Sequence, residues 1–292
     1  RPCRRRQYSV DAQIHIIDVL SSQHLEYTAQ GGLGRAIGSP MGFATHALGG
    51  EREQYGRCRG FQQQRHEGLQ HEDGHSHLWS GAIPNCVSYD PTFAFELAVV
   101  IQDGMRRMMT DQEDIYYYIT LMNENYAHPA MPKGSEKNIL KGMYHLDSVG
   151  SAKAPLRVQL LGSGTIFREV MAAAQLLQED WGVASDLWSC PSFTELSRDI
   201  HRVNRTNLLN PTSKPKKSHV EECLVQFNGP VIAATDYVRL FAEQIRPAIQ
   251  QLGRTYMVLG TDGFGLSDTR GALRRHFKVD AESIAVGVLA QL

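Results

Sequence analysis

His71, Glu72, Asp73, His75 and His77 fall within one short stretch, QHEDGHSH. The run from His71 to His75 matches H-E-x-x-H, in which a helix turns two imidazoles toward one zinc ion while the glutamate serves as base. Glu96 is nominally available as a third ligand. Zinc-assisted hydrolysis of this kind requires residues 68–78 to be helical, and their composition argues against it. Asp73-Gly74 is a turn dipeptide, and glycine inside a helix costs about 1 kcal/mol relative to alanine. Leu69 and Leu78 make no apolar stripe that would hold a helix in place. The stretch is expected to be a loop, and a loop supplied with this many titratable groups is a place for catalysis or binding.

Other candidates are weaker. Val158 to Leu161 reads as an apolar strand running through Gly162-Ser163-Gly164 into a helix with Phe167, Val170, Met171, Ala174 and Leu177 on one face. Nucleotide-binding folds use this arrangement, because glycines let a phosphate approach a helix N-terminus. Here the third glycine of the fingerprint is lacking and no acid follows in the ribose-binding position, so a tight strand-to-helix connection is the simpler reading. The cysteines, at 3, 58, 86, 190 and 223, are odd in number and never in C-x-x-C spacing. That pattern suggests reduced structural thiols, not a disulfide framework or a zinc ribbon. Tyr116, Tyr117 and Tyr118 are read as strand packing, and KPKK at 214–217 as a solvated loop.

The elements that must position these residues change character along the chain. Residues 1–66 hold 9 Arg, no Lys and 5 acids, with little apolar periodicity, and are expected to be a poorly ordered leader. Beyond them, IPNCVSYD reads as a strand ending at Asp90, which can cap a helix with Pro91 at its first position. Phe93, Leu97, Val100, Ile101, Met105 and Met108 then recur at helical spacing to about Met109, and DIYYYITLMNEN follows as a strand. Residues 133–153 have the Pro, Gly, Ser and Lys content of a linker. SDLWSC, PVIAATD, YVRLFAEQIRPAI, TYMVLGTD and SDTRGALRRHF then alternate between strand and helix. The fold class expected is α/β, with a mostly parallel sheet covered by helices.

With 292 residues, 42% hydrophobic content and a formal charge of −1, the chain reads as an ordinary globular protein. Nothing favours nucleic acid or membrane, no apolar run is long enough to span a bilayer, and the Arg-rich start lacks a signal-peptide core, so a cytoplasmic location is expected.

Taken together, GLQHEDGHSH, IPNCVSYDPTFAFELAVVIQDGM, YYYITLMNENYAHPAMP, VQLLGSGTIFREV, SFTELSRD, ATDYVRLFAEQIRP and VLGTDGFGLSDTRGALRRHFKVD resemble the homodimeric type of pyruvate dehydrogenase. This is the thiamine-diphosphate-dependent first component of the pyruvate dehydrogenase complex. The resemblance covers about residues 67–292. It implies a partial pyrimidine-binding domain over 67–132, the linker over 133–153, and a transketolase C-terminal-like domain over 154–292. It also implies thiamine diphosphate and magnesium as cofactors, pyruvate as substrate, and a homodimer that hands an acetyl group to the lipoyl arm of dihydrolipoyl acetyltransferase.

His71 matches the family histidine that faces the substrate and is the expected catalytic residue. Glu72, Asp73 and His75 belong to the same active-site loop, and His77 is expected to support it. Leu266 replaces a position often basic in relatives. The family's diphosphate and metal site and its activating glutamate lie upstream, with no counterpart in this sequence. The chain therefore resembles a C-terminal fragment, expected to be inactive and cofactor-free alone, with a non-catalytic dimerisation fragment as the alternative reading.

Overall fold

Cys86–Tyr89 (β2) and Tyr116–Ile119 (β3) are short runs of aromatic, β-branched and small residues, and every one of their side chains is buried. Strands buried on both faces belong to parallel sheets. β2 and β3 pair in parallel, and β3 pairs in parallel on its other side with Phe43–Ala44 (β1), giving the order β1-β3-β2. The computed structural model describes residues 43–44, 73–121, 126–266 and 268–292. β1 lies inside the stretch expected to be an unordered leader, because the free edge of β3 offers a ladder of backbone groups that a partner strand satisfies.

The helix after β2 begins later than Asp90-Pro91 suggests, at Ala94 (α2, Ala94–Met105), after a short helix α1 at Ser76–Gly81. The reason is Glu96, whose Oε2 accepts the backbone N–H groups of Thr92 at 2.5 Å and Phe93 at 2.9 Å. These are donors that a helix leaves open at its start. The last turn of α2 widens into a π-helical segment, Arg106–Thr110, so the amphipathic run ends within a residue of its expected limit.

The segment 133–153, expected to be a linker, carries two elements: α3 (Glu136–Lys141) and β4 (Tyr144–Val149). Gly142 makes the turn between them at φ 98°, where a side chain would meet the Ser192 carbonyl oxygen at 2.5 Å. Ile139, Met143 and Tyr144 are buried, which anchors the segment to the body of the protein. Its Gly, Ser and Lys content hides this, because the apolar residues come in short clusters split by Lys141-Gly142 and do not repeat long enough to read as one element.

β4 is the edge of a five-stranded sheet with β5 (Arg157–Gly162), β6 (Ala184–Ser189), β7 (Val231–Ala234) and β8 (Tyr256–Leu259), in the order β4-β6-β5-β7-β8. All neighbours are parallel except β4, which runs antiparallel to β6. Alternate side chains sort into two cores. Val158, Leu160, Ile232 and Ala234 pack under α4 (Phe167–Trp181) and α10 (Ala281–Leu289). Leu161, Val231 and Ala233 pack on the opposite face under α5 (Phe193–Leu209), α6 (His219–Leu224), α7 (Leu240–Glu243) and α8 (Arg246–Gln251).

α5 is the one long helix whose apolar spacing was not singled out from sequence. Its start is nevertheless capped, since the Ser192 hydroxyl accepts the Glu195 N–H at 3.0 Å. α9 (Arg270–Phe277) follows β8. No helix among the described residues is long and apolar enough to cross a membrane.

Candidate functional site

Asp73 makes the turn expected of Asp73-Gly74 and also starts a helix. Its Oδ1 accepts the N–H groups of His75 at 3.1 Å and Ser76 at 2.9 Å, and its Oδ2 accepts the Ser76 hydroxyl. The loop therefore ends at His75, and His77 and Leu78 are helical, a shorter loop than residues 68–78. The Gly74 carbonyl accepts the Val238 N–H at 3.1 Å, which docks the loop onto the chain that leaves β7. His71 and Glu72 lie outside the described residues.

His75 is partly exposed, 6.3 Å from the Phe264 ring, in the loop that follows β8. The same loop holds Asp262, bound by the Arg239 N–H at 3.0 Å and its guanidinium at 2.6 Å. Partial burial would raise the Asp262 carboxyl, but these donors, with His75 adding a smaller effect, hold it below its usual range. Leu266 is exposed in this loop.

His77 is buried at the junction of both sheets. Its ring stacks on Phe241 at 4.8 Å and meets the edges of Tyr237 at 4.7 Å and Tyr118 at 5.3 Å. Nδ1 lies 2.7 Å from Ser88 Oγ and Nε2 lies 2.7 Å from Thr120 Oγ1. The support expected of His77 thus runs to both halves of the protein.

Asp90 does not cap a helix. Its carboxylate accepts the Thr120 hydroxyl at 2.7 Å and the Ser163 hydroxyl at 2.9 Å, and its carbonyl accepts the Gly164 N–H at 3.2 Å. Gly164 has φ +51°, and a Cβ there would lie 2.4 Å from Asp90 Oδ2. The place where a glycine turn would take a phosphate is filled by a carboxylate from the other sheet. The diphosphate of a thiamine cofactor does not fit here either, and among the described residues no group of three or more His, Cys, Asp or Glu could hold a metal ion.

Glu96 is committed elsewhere and cannot be a zinc ligand for the loop. It is fully buried, with Oε1 accepting the Tyr144 hydroxyl at 2.7 Å and the Ser189 hydroxyl at 2.5 Å while Oε2 holds the start of α2. The described thiols, Cys86, Cys190 and Cys223, behave as structural groups. Burial pushes Cys86 up to about 11 and Cys223 up to about 12, and raises Cys190 well above its usual value.

The structure therefore brings together Asp73, His75 and, behind them, His77, and separates Glu96 from them. Thr120, Asp90 and Ser163 were not singled out as partners of one another. No sequence signal joins them, since Asp90, Thr120 and Ser163 are far apart along the chain and only the fold brings them together.

Residues 31–129 match the family described as the pyruvate dehydrogenase E1 component middle domain, and residues 142–280 the transketolase-like C-terminal domain. The first match begins upstream of residue 67, where the quoted motifs start. Over 227 residues the chain is 64% identical to a pyruvate dehydrogenase E1 component of Cupriavidus necator, covering 77% of this chain and 25% of the relative. A counterpart in Escherichia coli is 51% identical over 227 residues, with the same shares. The chain thus spans about a quarter of the length of the curated relatives it matches. Among solved structures, a transketolase from Campylobacter jejuni superposes with a TM-score of 0.55 at 17% identity, over 77% of this chain and 29% of that one. One from Leishmania mexicana gives 0.54 at 16% identity, over 78% of this chain and 28% of that one. At such identity these two establish the fold alone.

Proposed function

Since the chain belongs to the pyruvate dehydrogenase E1 family, we propose that it forms the C-terminal part of an enzyme that decarboxylates pyruvate. The acetyl group formed passes to the lipoyl arm of dihydrolipoyl acetyltransferase. The family depends on thiamine diphosphate and works as a dimer within the pyruvate dehydrogenase complex, in the bacterial cytoplasm on this reading. The observation that carries the proposal is the docked loop: Asp73 fixes its turn, and Val238 holds its carbonyl against the C-terminal sheet.

In this reading His71, two residues ahead of Asp73, faces the substrate. An imidazole there donates a hydrogen bond or proton to the keto oxygen of pyruvate as negative charge develops on it. Glu72 and Asp73 orient the loop and tune its histidines, and His75 is a secondary candidate for the role of His71. Thiamine diphosphate supplies the electron sink for decarboxylation when bound. The Gly162-Ser163-Gly164 turn does not fit its diphosphate, because Asp90 occupies it, so no binding role is assigned to that turn.

The test uses an intact relative that carries the same HEDGH motif. Replacing the histidine that matches His71 by alanine is expected to lower turnover by about 10²–10⁴-fold. An effect confined to cofactor affinity would contradict the assigned role.

A further inference from the structure

The buried polar side chains between the loop and the glycine turn form one continuous chain. Ser163 on the large sheet donates to Asp90 at 2.9 Å, Thr120 donates to Asp90 at 2.7 Å, and Thr120 Oγ1 lies 2.7 Å from His77 Nε2. His77, Asp90, Thr120 and Ser163 are all buried.

The hydrogens on this chain have one consistent direction. With Asp90 ionised its carboxylate only accepts, so the single hydroxyl hydrogen of Thr120 is drawn to it, and Thr120 can then only accept from His77. The Tyr89 carbonyl, at 3.1 Å, is the longer alternative for the same hydrogen. Nε2 therefore carries the ring hydrogen, and Nδ1 accepts from Ser88 Oγ. A hydrogen bond made by one ring nitrogen fixes the role of the other. His77 is held in rotation and tautomer by the strand ends of the small sheet. Its ring is also gripped by Tyr237 and Phe241, and the adjoining Val238 N–H holds Gly74. The backbone two residues before His77 is His75, and Asp73 ties His75 and Ser76 into one turn.

We propose that His77 is a positioning residue for the active-site loop, and that the chain Asp90–Thr120–His77 fixes the loop to the seat of the Gly162-Ser163-Gly164 turn. The inference rests on the reading of residues 71–75 as the active-site loop. Its physical content is that a hydroxyl at residue 120, which does not touch the loop, controls the loop's order. The effect is local, because Asp73 and Val238 hold the turn only if α1 starts in the right place.

The 292-residue chain, labelled with ¹⁵N-histidine, provides the test. Long-range proton–nitrogen spectra are expected to show one ring, assigned by its loss in His77→Gln, with hydrogen on Nε2 and none on Nδ1. In Thr120→Val, which keeps the shape and removes the hydroxyl, this pattern changes. The amides of His75 and Ser76 then exchange with solvent about tenfold faster, while those of Val87 and Tyr117 do not. Thr120→Ser restores both. Asp90→Asn keeps the shape but gives up one acceptor oxygen, and is expected to speed loop exchange by about threefold; it stands in if Thr120→Val does not fold.

A ring with its hydrogen on Nδ1, unchanged loop exchange in the variants that fold, or an equal rise throughout the small sheet would overturn the proposal. None of these readouts involves pyruvate. Failure here would leave the enzymatic reading intact, and a chain whose relatives' loop histidine proved dispensable would fail that reading without touching these spectra.

Discussion

The two sheets are stabilised by different means. The five-stranded sheet is sandwiched between helices over two large apolar cores, with one buried polar network, Trp188–Gln159–Asp186, across β5 and β6. The three-stranded sheet buries His77, Asp90, Glu96 and Thr120 around its strand ends, and each of these binds a group outside its own element. Packing defects should dominate in the first region. Unsatisfied polar groups should dominate in the second, because a buried donor or acceptor that loses its partner costs its full desolvation penalty.

The largest effect expected on this view is in the large unit. Phe193 is fully buried against Phe241, with ring centroids 5.2 Å apart. Phe193→Ala should cost about 4 kcal/mol in a denaturant titration, through lost burial and the cavity left behind.

Glu96 sharpens the contrast. Glu96→Ala strands the Thr92 and Phe93 N–H groups and the Tyr144 and Ser189 hydroxyls, and should cost about 3 kcal/mol. Glu96→Gln should be far milder, since an amide can accept from the backbone pair and donate to a hydroxyl. The two also separate by pH. Burial raises the Glu96 carboxyl above 4.5, and the four hydrogen bonds it accepts oppose the shift without cancelling it. A carboxyl raised on folding contributes stability that is fully present below 4.5 and is lost as pH rises through its folded value. The stability of the wild-type chain relative to Glu96→Gln should therefore fall as pH rises from 4.5. A gap that grows with pH would show the carboxyl to be held ionised by its donors.

The smallest effect belongs to the surface pair Arg239 and Asp262, which are 59% and 48% exposed. Arg239→Ala should change stability by about 0.5 kcal/mol. A loss of several kcal/mol would mean that the loop after β8 is part of the structural core.

How far the sequence disclosed this arrangement differs by region. The α/β class and the strand–glycine–helix unit at 158–177 were legible, because period-2 and period-3.6 patterns there are long and uninterrupted. The segment 133–153 was not, since its helix and strand are each only six residues long and are joined through Gly142 in a stretch rich in Gly, Ser and Lys. Helix α2 was placed early because Asp90-Pro91 is a sound helix start locally, and a tertiary partner, the Gly162-Ser163-Gly164 turn, claims Asp90 instead. Asp73 and His75 were recognised as loop residues from turn chemistry. The joining of Thr120 and Asp90 to His77 depends on the parallel pairing of β2 with β3, and that of Ser163 to Asp90 on a contact between the two sheets, neither of which a local pattern records.

The central claim is that the described residues scaffold the loop, and that their Gly162-Ser163-Gly164 turn, filled by Asp90, is no seat for a diphosphate. The most direct measurement is calorimetric titration of the 292-residue chain with thiamine diphosphate and Mg²⁺, paired with pyruvate decarboxylation followed by an artificial electron acceptor. Anchoring a diphosphate takes a metal with oxygen ligands and oriented donors. The account predicts neither saturable binding nor turnover for this chain alone. Saturable cofactor binding accompanied by turnover would contradict it.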